Sequence, residues 1–202
     1  MFTNKTFDNQ NAINTDAIYI SRNPFRYVPW RTCGYTITAG TSFGGAITAT
    51  TTAPTPATGS TTTYNYSVVG NTMYLQFTYS NPTANNAVAG NGIYIYNLPS
   101  GYTIDTTLIQ TVTPGALGAI NQSAYGTNLG DASIEVFAPN PNKYAVLGLS
   151  IYATSSTTLA IFIPSYFLNG TLYQGTGWNG SLYFAYSDSY NRYTFNCSFP
   201  IV

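Results

Sequence analysis

Charged side chains are scarce in this sequence of 202 residues, which contains six Lys and Arg, six Asp and Glu, and no net charge at pH 7. They make up 6% of the chain, whereas about 25% is usual in soluble domains. A nucleic-acid-binding protein needs a basic surface to neutralise phosphates, and six scattered cations do not supply one. We therefore expect no nucleic-acid partner. We expect instead a surface of Thr, Asn, Ser, Gly and Tyr that can meet other protein surfaces without desolvating charges.

Histidine is absent and glutamate occurs once, which argues against acid–base chemistry. The segment GTSFG (40–44) matches the nucleophile elbow of hydrolases, but the serine of that motif needs a base that is nearly always histidine. Asp131 and Glu135 fall on the same face of a predicted strand. Because acidic residues are so few, we expect these two to pair with arginines rather than to act as a glycosidase pair.

Cofactor and metal motifs are equally weak. The segment GTGWNG (175–180) matches the dinucleotide-binding fingerprint, but a predicted strand follows it in place of the helix that binds the pyrophosphate. Cys33 and Cys197 have no nearby partner ligand for zinc, and no Asp-x-Asp run offers a calcium site. The sequence therefore predicts no enzyme, no catalytic residue, no cofactor and no metal site.

The same two cysteines indicate a reducing compartment, since a small secreted disulfide scaffold carries more of them. We expect two separate buried thiols, with a Cys33–Cys197 disulfide as the alternative. The N-terminal residues are polar, unlike a secretory signal. The longest nearly apolar stretch, 144–153, is about half as long as a membrane span. We therefore expect an intracellular origin and no membrane span.

Strand signals, by contrast, run along the whole sequence. Short segments rich in Val, Ile, Thr, Tyr and Phe alternate with Gly, Pro, Asn and Ser, and no helical period is sustained. Gly70-Asn71 predicts a two-residue hairpin turn. The predicted strands are 17–21, 34–39, 64–69, 72–79, 92–98, 102–112, 133–137, 143–153, 157–163, 181–187 and 191–201. This pattern favours an all-β fold, an antiparallel β-sandwich with a single jelly roll.

Two segments differ in composition from the rest. The Thr-rich tract 48–63 is low in complexity and predicts a disordered loop rather than an ordered one at an interface. Residues 1–30 hold one short strand among asparagines and prolines, and we predict that they form an N-terminal arm preceding a jelly-roll domain at 31–202. The segment 22–31, at the end of the arm, carries three arginines interleaved with aromatic residues. We predict that it anchors the chain on neighbouring subunits through Arg22, Phe25, Arg26, Tyr27, Trp30 and Arg31.

The segment 64–105 resembles a pattern found in viral jelly-roll modules. In that pattern a hairpin like YSVVGNTMYLQFTY precedes a strand that ends in LPSG, as GIYIYNLPSG does here. The C-terminal YTFNCSFPIV is similar to the terminal core strand of such modules. The chain resembles the single jelly-roll penton and minor capsid proteins of large double-stranded DNA viruses, including algal viruses, and more distantly viral fibre heads.

This resemblance implies a structural capsid protein, with the penton at the five-fold vertex as the first choice. It implies a virion location, assembly in the host cytoplasm, contacts with other capsid proteins, and a homo-oligomer in which a pentamer is favoured over a trimer. A receptor- or glycan-binding fibre head is the alternative, because outward-facing tyrosines can stack on sugars. A jelly-roll enzyme such as a cupin is disfavoured, because the chain lacks histidine for its metal site.

Overall fold

A computed structural model describes residues 17–20, 23–81, 87–88, 90–113, 126–137, 144–163, 166–168, 171–173, 176–177 and 190–202. All regular structure in these segments is β, and every strand pairing is antiparallel. The predicted all-β class is therefore confirmed. These segments contain no helix long and apolar enough to cross a membrane.

The strands follow one another along the chain with connections of very different length. Those in the described segments are β1 Ala17–Ile20, β2 Asn23–Thr32, β3 Ile47–Ala49, β4 Thr61–Val69, β5 Thr72–Asn81, β6 Tyr94–Asn97, β7 Asn128–Phe137, β8 Tyr144–Ser155, β9 Thr158–Ile163, β10 Tyr166–Leu168, β11 Thr171–Tyr173, β12 Thr176–Gly177 and β13 Tyr190–Pro200.

Eleven strands form one sheet in the order β1-β2-β4-β5-β13-β7-β8-β9-β6-β3, with β12 beside β9, while β10 and β11 form a separate hairpin. The sheet curls on itself. Four strands lie between β5 and β6 in this order, yet the rings of Phe77 on β5 and Tyr96 on β6 are 5.5 Å apart. The two ends of the sheet therefore face each other as the layers of a sandwich, an arrangement compatible with a jelly roll.

Aromatic residues fill the space between these layers. Along β5, every second residue points inward, and Met73, Leu75, Phe77 and Tyr79 are fully buried. This alternation is what a half-buried strand requires, because successive side chains point to opposite faces. The hydroxyl of Tyr64 on β4 crosses the core and donates to the carbonyl oxygen of Asn97 on β6 at 3.0 Å.

Residue composition and turn motifs in the sequence identify many of these strands correctly. The predicted hairpin joins Val69 to Thr72, and Gly70 has the positive φ of 59° that such a turn needs. Two predicted strands, 34–39 and 102–112, are wrong, because both segments are connections that make only isolated bridges. Predicted strand 181–187 lies outside the described residues.

The Thr-rich tract is ordered, which corrects the prediction of a disordered loop. Its ends belong to β3 and β4, and its middle is held by isolated bridges from Thr52 to Asn91 and from Thr55 to Val88. Pro54, Pro56 and Ala57 are buried. Low sequence complexity therefore coexists here with a packed connection, because proline and alanine supply apolar surface.

The arm boundary predicted at residue 30 also needs correction. β2 pairs with β4 over residues 27–32, and Val28 is 1% exposed within the main core cluster. Residues 23–30 therefore belong to the sheet. The prolines in this segment argued against a strand, because proline is rare inside sheets. Pro29 is tolerated because it lies at a bulge, where its missing N–H disrupts no regular hydrogen bond between the strands. Residues 1–16 and 21–22 of the predicted arm lie outside the described residues.

Candidate binding surfaces

The first candidate surface is on β2, where the sequence predicted an anchor. Two residues of β2, Pro29 and Trp30, lie opposite the single residue Ser67 of β4, because the register shifts between Val28 and Arg31. The hydroxyl of Ser67 donates to the Val28 carbonyl oxygen at 2.9 Å and so holds the bulge. Bulges redirect side chains, and Trp30 is 57% exposed.

A second large aromatic side chain is exposed on the same strand. Tyr27 is 44% exposed and lies opposite Val69, which is also exposed, at 37%. Its neighbour Val28 points the other way, into the core. We call Tyr27, Trp30 and Val69 the β2 patch. Exposed tryptophan and tyrosine side chains are the types that contribute most to protein interfaces.

The arginines of β2 lie beside aromatic residues of the same chain. The guanidinium carbon of Arg26 is 4.7 Å from the ring centroid of Tyr102, a cation–π contact. Tyr102 in turn packs edge-on against Tyr66, with ring centroids 5.2 Å apart. Arg31 lies opposite Tyr66 across the strand pair. Burial raises the pKa of Tyr66 to about 12, and the nearby Arg31 charge partly opposes this rise.

The predicted anchor residues therefore separate into two groups. Arg26 and Arg31 lie near Tyr66 and Tyr102, whereas Tyr27 and Trp30 are the exposed apolar members. Phe25 lies on β2 opposite Ile18. Arg22 is outside the described residues. The anchoring role of this segment stays a prediction.

The sequence motifs that suggested catalysis lie in a turn and on paired strands where they are described. The Ser42 hydroxyl of GTSFG accepts a hydrogen bond from the Gly44 N–H at 2.8 Å and supports a tight turn. Asp131 lies opposite Asn196, and Glu135 lies opposite Arg192, in the pairing of β7 with β13. No group of three or more His, Cys, Asp or Glu that could hold a metal occurs in the described segments.

Both cysteines are buried and free, as expected. Cys33 follows β2 and its N–H bonds to the Tyr64 carbonyl of β4, while Cys197 is on β13. β4 and β5 lie between these positions in the strand order of the sheet. Burial raises the pKa of both thiols, that of Cys33 to about 12.

A second candidate surface lies on the outer face of β5, β13 and β7. A shallow cleft of about 440 Å³ is lined there by Tyr74, Leu129, Gly130, Asp131, Asn196, Cys197 and Ser198. Tyr74 is 42% exposed and lies opposite Ser198, while Asn196 lies opposite Asp131. We call this the outer cleft. Its side chains come from three strands that are distant in sequence.

The outer cleft was not predicted from the sequence, although a weak signal for it exists. In MYLQF (73–77) and FNCSF (195–199), polar or amphipathic residues alternate with buried ones. This alternation shows which side chains face outward. It does not show that the two segments are paired, or that Asp131 joins them on the third strand.

Comparison with known proteins supplies no relative to guide the choice between these surfaces. No protein-family model, no curated protein and no solved structure matches this chain.

Proposed function

We propose that this chain is a structural capsid subunit that assembles into a closed ring of five copies, the penton of a viral capsid. The β2 patch carries the proposal, because it exposes a tryptophan and a tyrosine of β2 and a valine of β4, and these two strands are paired in the sheet. The proposal includes no catalysis. It places the protein in the virion after assembly in the host cytoplasm, in contact with other capsid proteins.

The occupant proposed for the β2 patch is a second copy of the same chain. A neutral chain with 6% charged residues suits repeated contact between copies, because interface cores are depleted in charge. A cyclic pentamer requires a heterologous contact, in which the β2 patch of one copy docks on a different surface of the next. The five-fold symmetry is drawn from the likeness of segment 64–105 to penton modules.

Native mass measurement and sedimentation of the purified protein test this proposal. We expect a pentamer at micromolar concentration that persists when salt is raised from about 0.1 to about 1 M. This change shortens the Debye length from about 10 to about 3 Å, and would weaken a charge-driven contact. A trimer would favour the fibre-head alternative, and a monomer under all these conditions would overturn the proposal.

Two variants connect the oligomer to the β2 patch. Trp30→Ser combined with Tyr27→Ser should weaken association by at least about tenfold, since interface tryptophan and tyrosine residues commonly contribute about 2 kcal/mol or more. Leu108→Ser is the matched control, because Leu108 is 69% exposed on a connection away from β2. If the control and the double variant behave alike, the contact does not involve the β2 patch.

A further inference from the structure

We propose that the outer cleft binds an uncharged carbohydrate, with Tyr74, Asp131, Asn196 and Ser198 as the residues that contact it. This inference goes beyond assembly and does not depend on it, because it concerns a different set of side chains. Four observations support it: the convergence of these residues, their chemistry, the local backbone and the absence of cations from the lining.

The strand register brings the four side chains together. Tyr74 is opposite Ser198 in the pairing of β5 with β13, and Asn196 is opposite Asp131 in the pairing of β13 with β7. Neighbouring strands are about 4.8 Å apart. All four residues point outward, since the residues that alternate with them, such as Leu75 and Cys197, are buried.

Their chemistry matches the two surfaces of a pyranose. The exposed Tyr74 ring offers a flat apolar face on which the C–H groups of a sugar can stack. The Asp131 carboxylate accepts hydrogen bonds from two hydroxyl groups, and the Asn196 carboxamide both donates and accepts. None of these side chains forms a hydrogen bond to another residue that the structure describes. They can therefore all bond to a ligand.

The backbone shapes the end of the cleft next to Asp131. β7 has a register shift between Asn128 and Gly130, and the Asn128 side-chain oxygen accepts the Gly130 N–H at 2.9 Å. A Cβ at Gly130 would collide with the Asn196 carbonyl oxygen, so only glycine permits this close approach of β7 to β13. Bulges of this kind are frequent beside binding sites.

Size and charge narrow the ligand class. A volume of about 440 Å³ is within the range of small-molecule sites. Among the residues that the structure describes, the lining contains one carboxylate, Asp131, and neither lysine nor arginine. An acidic sugar would therefore meet repulsion with no compensating cation, whereas a neutral hexose would gain charge-assisted hydrogen bonds.

Titration with the methyl glycosides of glucose, galactose, mannose and N-acetylglucosamine tests the site, with ligand-observed NMR as the readout. We expect saturable binding of at least one glycoside. Tyr74→Ala and Asp131→Asn should each raise its Kd by about tenfold, the size expected for losing a stacking partner or a charged hydrogen bond. Thr78→Ala is the matched control, since Thr78 is outward-facing on β5 but outside the cleft, and should change Kd less than twofold.

Three outcomes would overturn the inference. The first is no saturable binding up to about 10 mM glycoside, where a Kd of about 1 mM would be evident. The second is binding that Tyr74→Ala and Asp131→Asn leave unchanged. The third is an oligomer that Tyr74→Ala dissociates while no glycoside binds, because the cleft would then be a contact between copies. Failure of the pentamer proposal leaves the first two readouts unchanged, since the glycosides can be titrated into a monomer.

Discussion

Replacing Phe77 by alanine is a direct test of the curled sheet. Phe77 is fully buried, and its ring centroid is 5.2 to 5.5 Å from those of four aromatic residues on β4, β6 and β13. Phe→Ala substitutions in cores cost about 3–5 kcal/mol, a large part of the 5–15 kcal/mol typical of a domain. At about 2–4 °C per kcal/mol for a chain of this length, Tm should fall by about 6–20 °C.

The sharper measurement is a double-mutant cycle between the two layers. Phe77→Leu and Tyr96→Leu should show a coupling of about 0.5–1.5 kcal/mol, because their rings are in contact although four strands lie between β5 and β6 in the sheet. Urea unfolding is measured at one fixed protein concentration, since association shifts apparent stability. Gln76→Ala, exposed next to Phe77, should stay within about 0.5 kcal/mol. Additive effects of Phe77→Leu and Tyr96→Leu would mean that the layers do not face each other.

Three other predictions concern the sheet and its thiols. Burial raises the pKa of the Cys33 thiol to about 12, so the stability that its neutral form contributes should be complete below about pH 9 and be lost as the pH rises towards 12. The free energy of unfolding should fall by about 1.4 kcal/mol per pH unit for each buried group with a pKa raised in this way. A free energy of unfolding in urea that is unchanged over this range would contradict the prediction. Cys33 and Cys197 should resist a thiol reagent in the folded protein and both react in urea without reductant, whereas fewer than two reactive thiols would indicate a disulfide. At a protein concentration low enough to keep the chain monomeric, Val28→Ala should cost about 1–3 kcal/mol and Tyr27→Ala less than about 0.5, and equal effects would place residues 23–30 outside the sheet.

Some strands that the sequence predicts correctly are joined by a local turn, whereas others, such as β13, pair with strands that are distant in sequence. The hairpin from Val69 to Thr72 needs only adjacent residues and a glycine with positive φ. Segment 34–39 shows why other predictions fail. Tyr35 and Ile37 alternate as a strand would and pack on the core, but the Tyr35 hydroxyl donates to the Leu98 carbonyl, and no strand among the described residues pairs with this segment. Alternating burial shows that one face of a segment packs on the core, but it does not show that the segment forms hydrogen bonds with a neighbouring strand.

The two candidate surfaces also differ in how far they can be predicted from the sequence. The β2 patch could be predicted in part, because Tyr27 and Trp30 lie in one short segment whose aromatic and cationic content is visible in the sequence. The outer cleft could not be predicted, because Tyr74, Asp131 and Asn196 are more than fifty residues from one another. Only the register of β5, β13 and β7 brings them together.

Because the β2 patch and the outer cleft lie at different positions on the sheet, the two proposals together predict multivalent sugar binding. Tyr27 and Tyr74 are both on the outer face of the sheet, but β4 lies between their strands. A contact between the β2 patch of one copy and a surface of the next other than its outer cleft would leave five equivalent outer clefts in a pentamer, and linked weak sites can gain a factor of about 10² to 10⁴ in avidity. Trp30→Ser with Tyr27→Ser should therefore preserve the Kd for a methyl glycoside yet release the protein from a surface coated with that sugar. Equal retention of the double variant and the unmodified protein on that surface would show that multivalency makes no contribution.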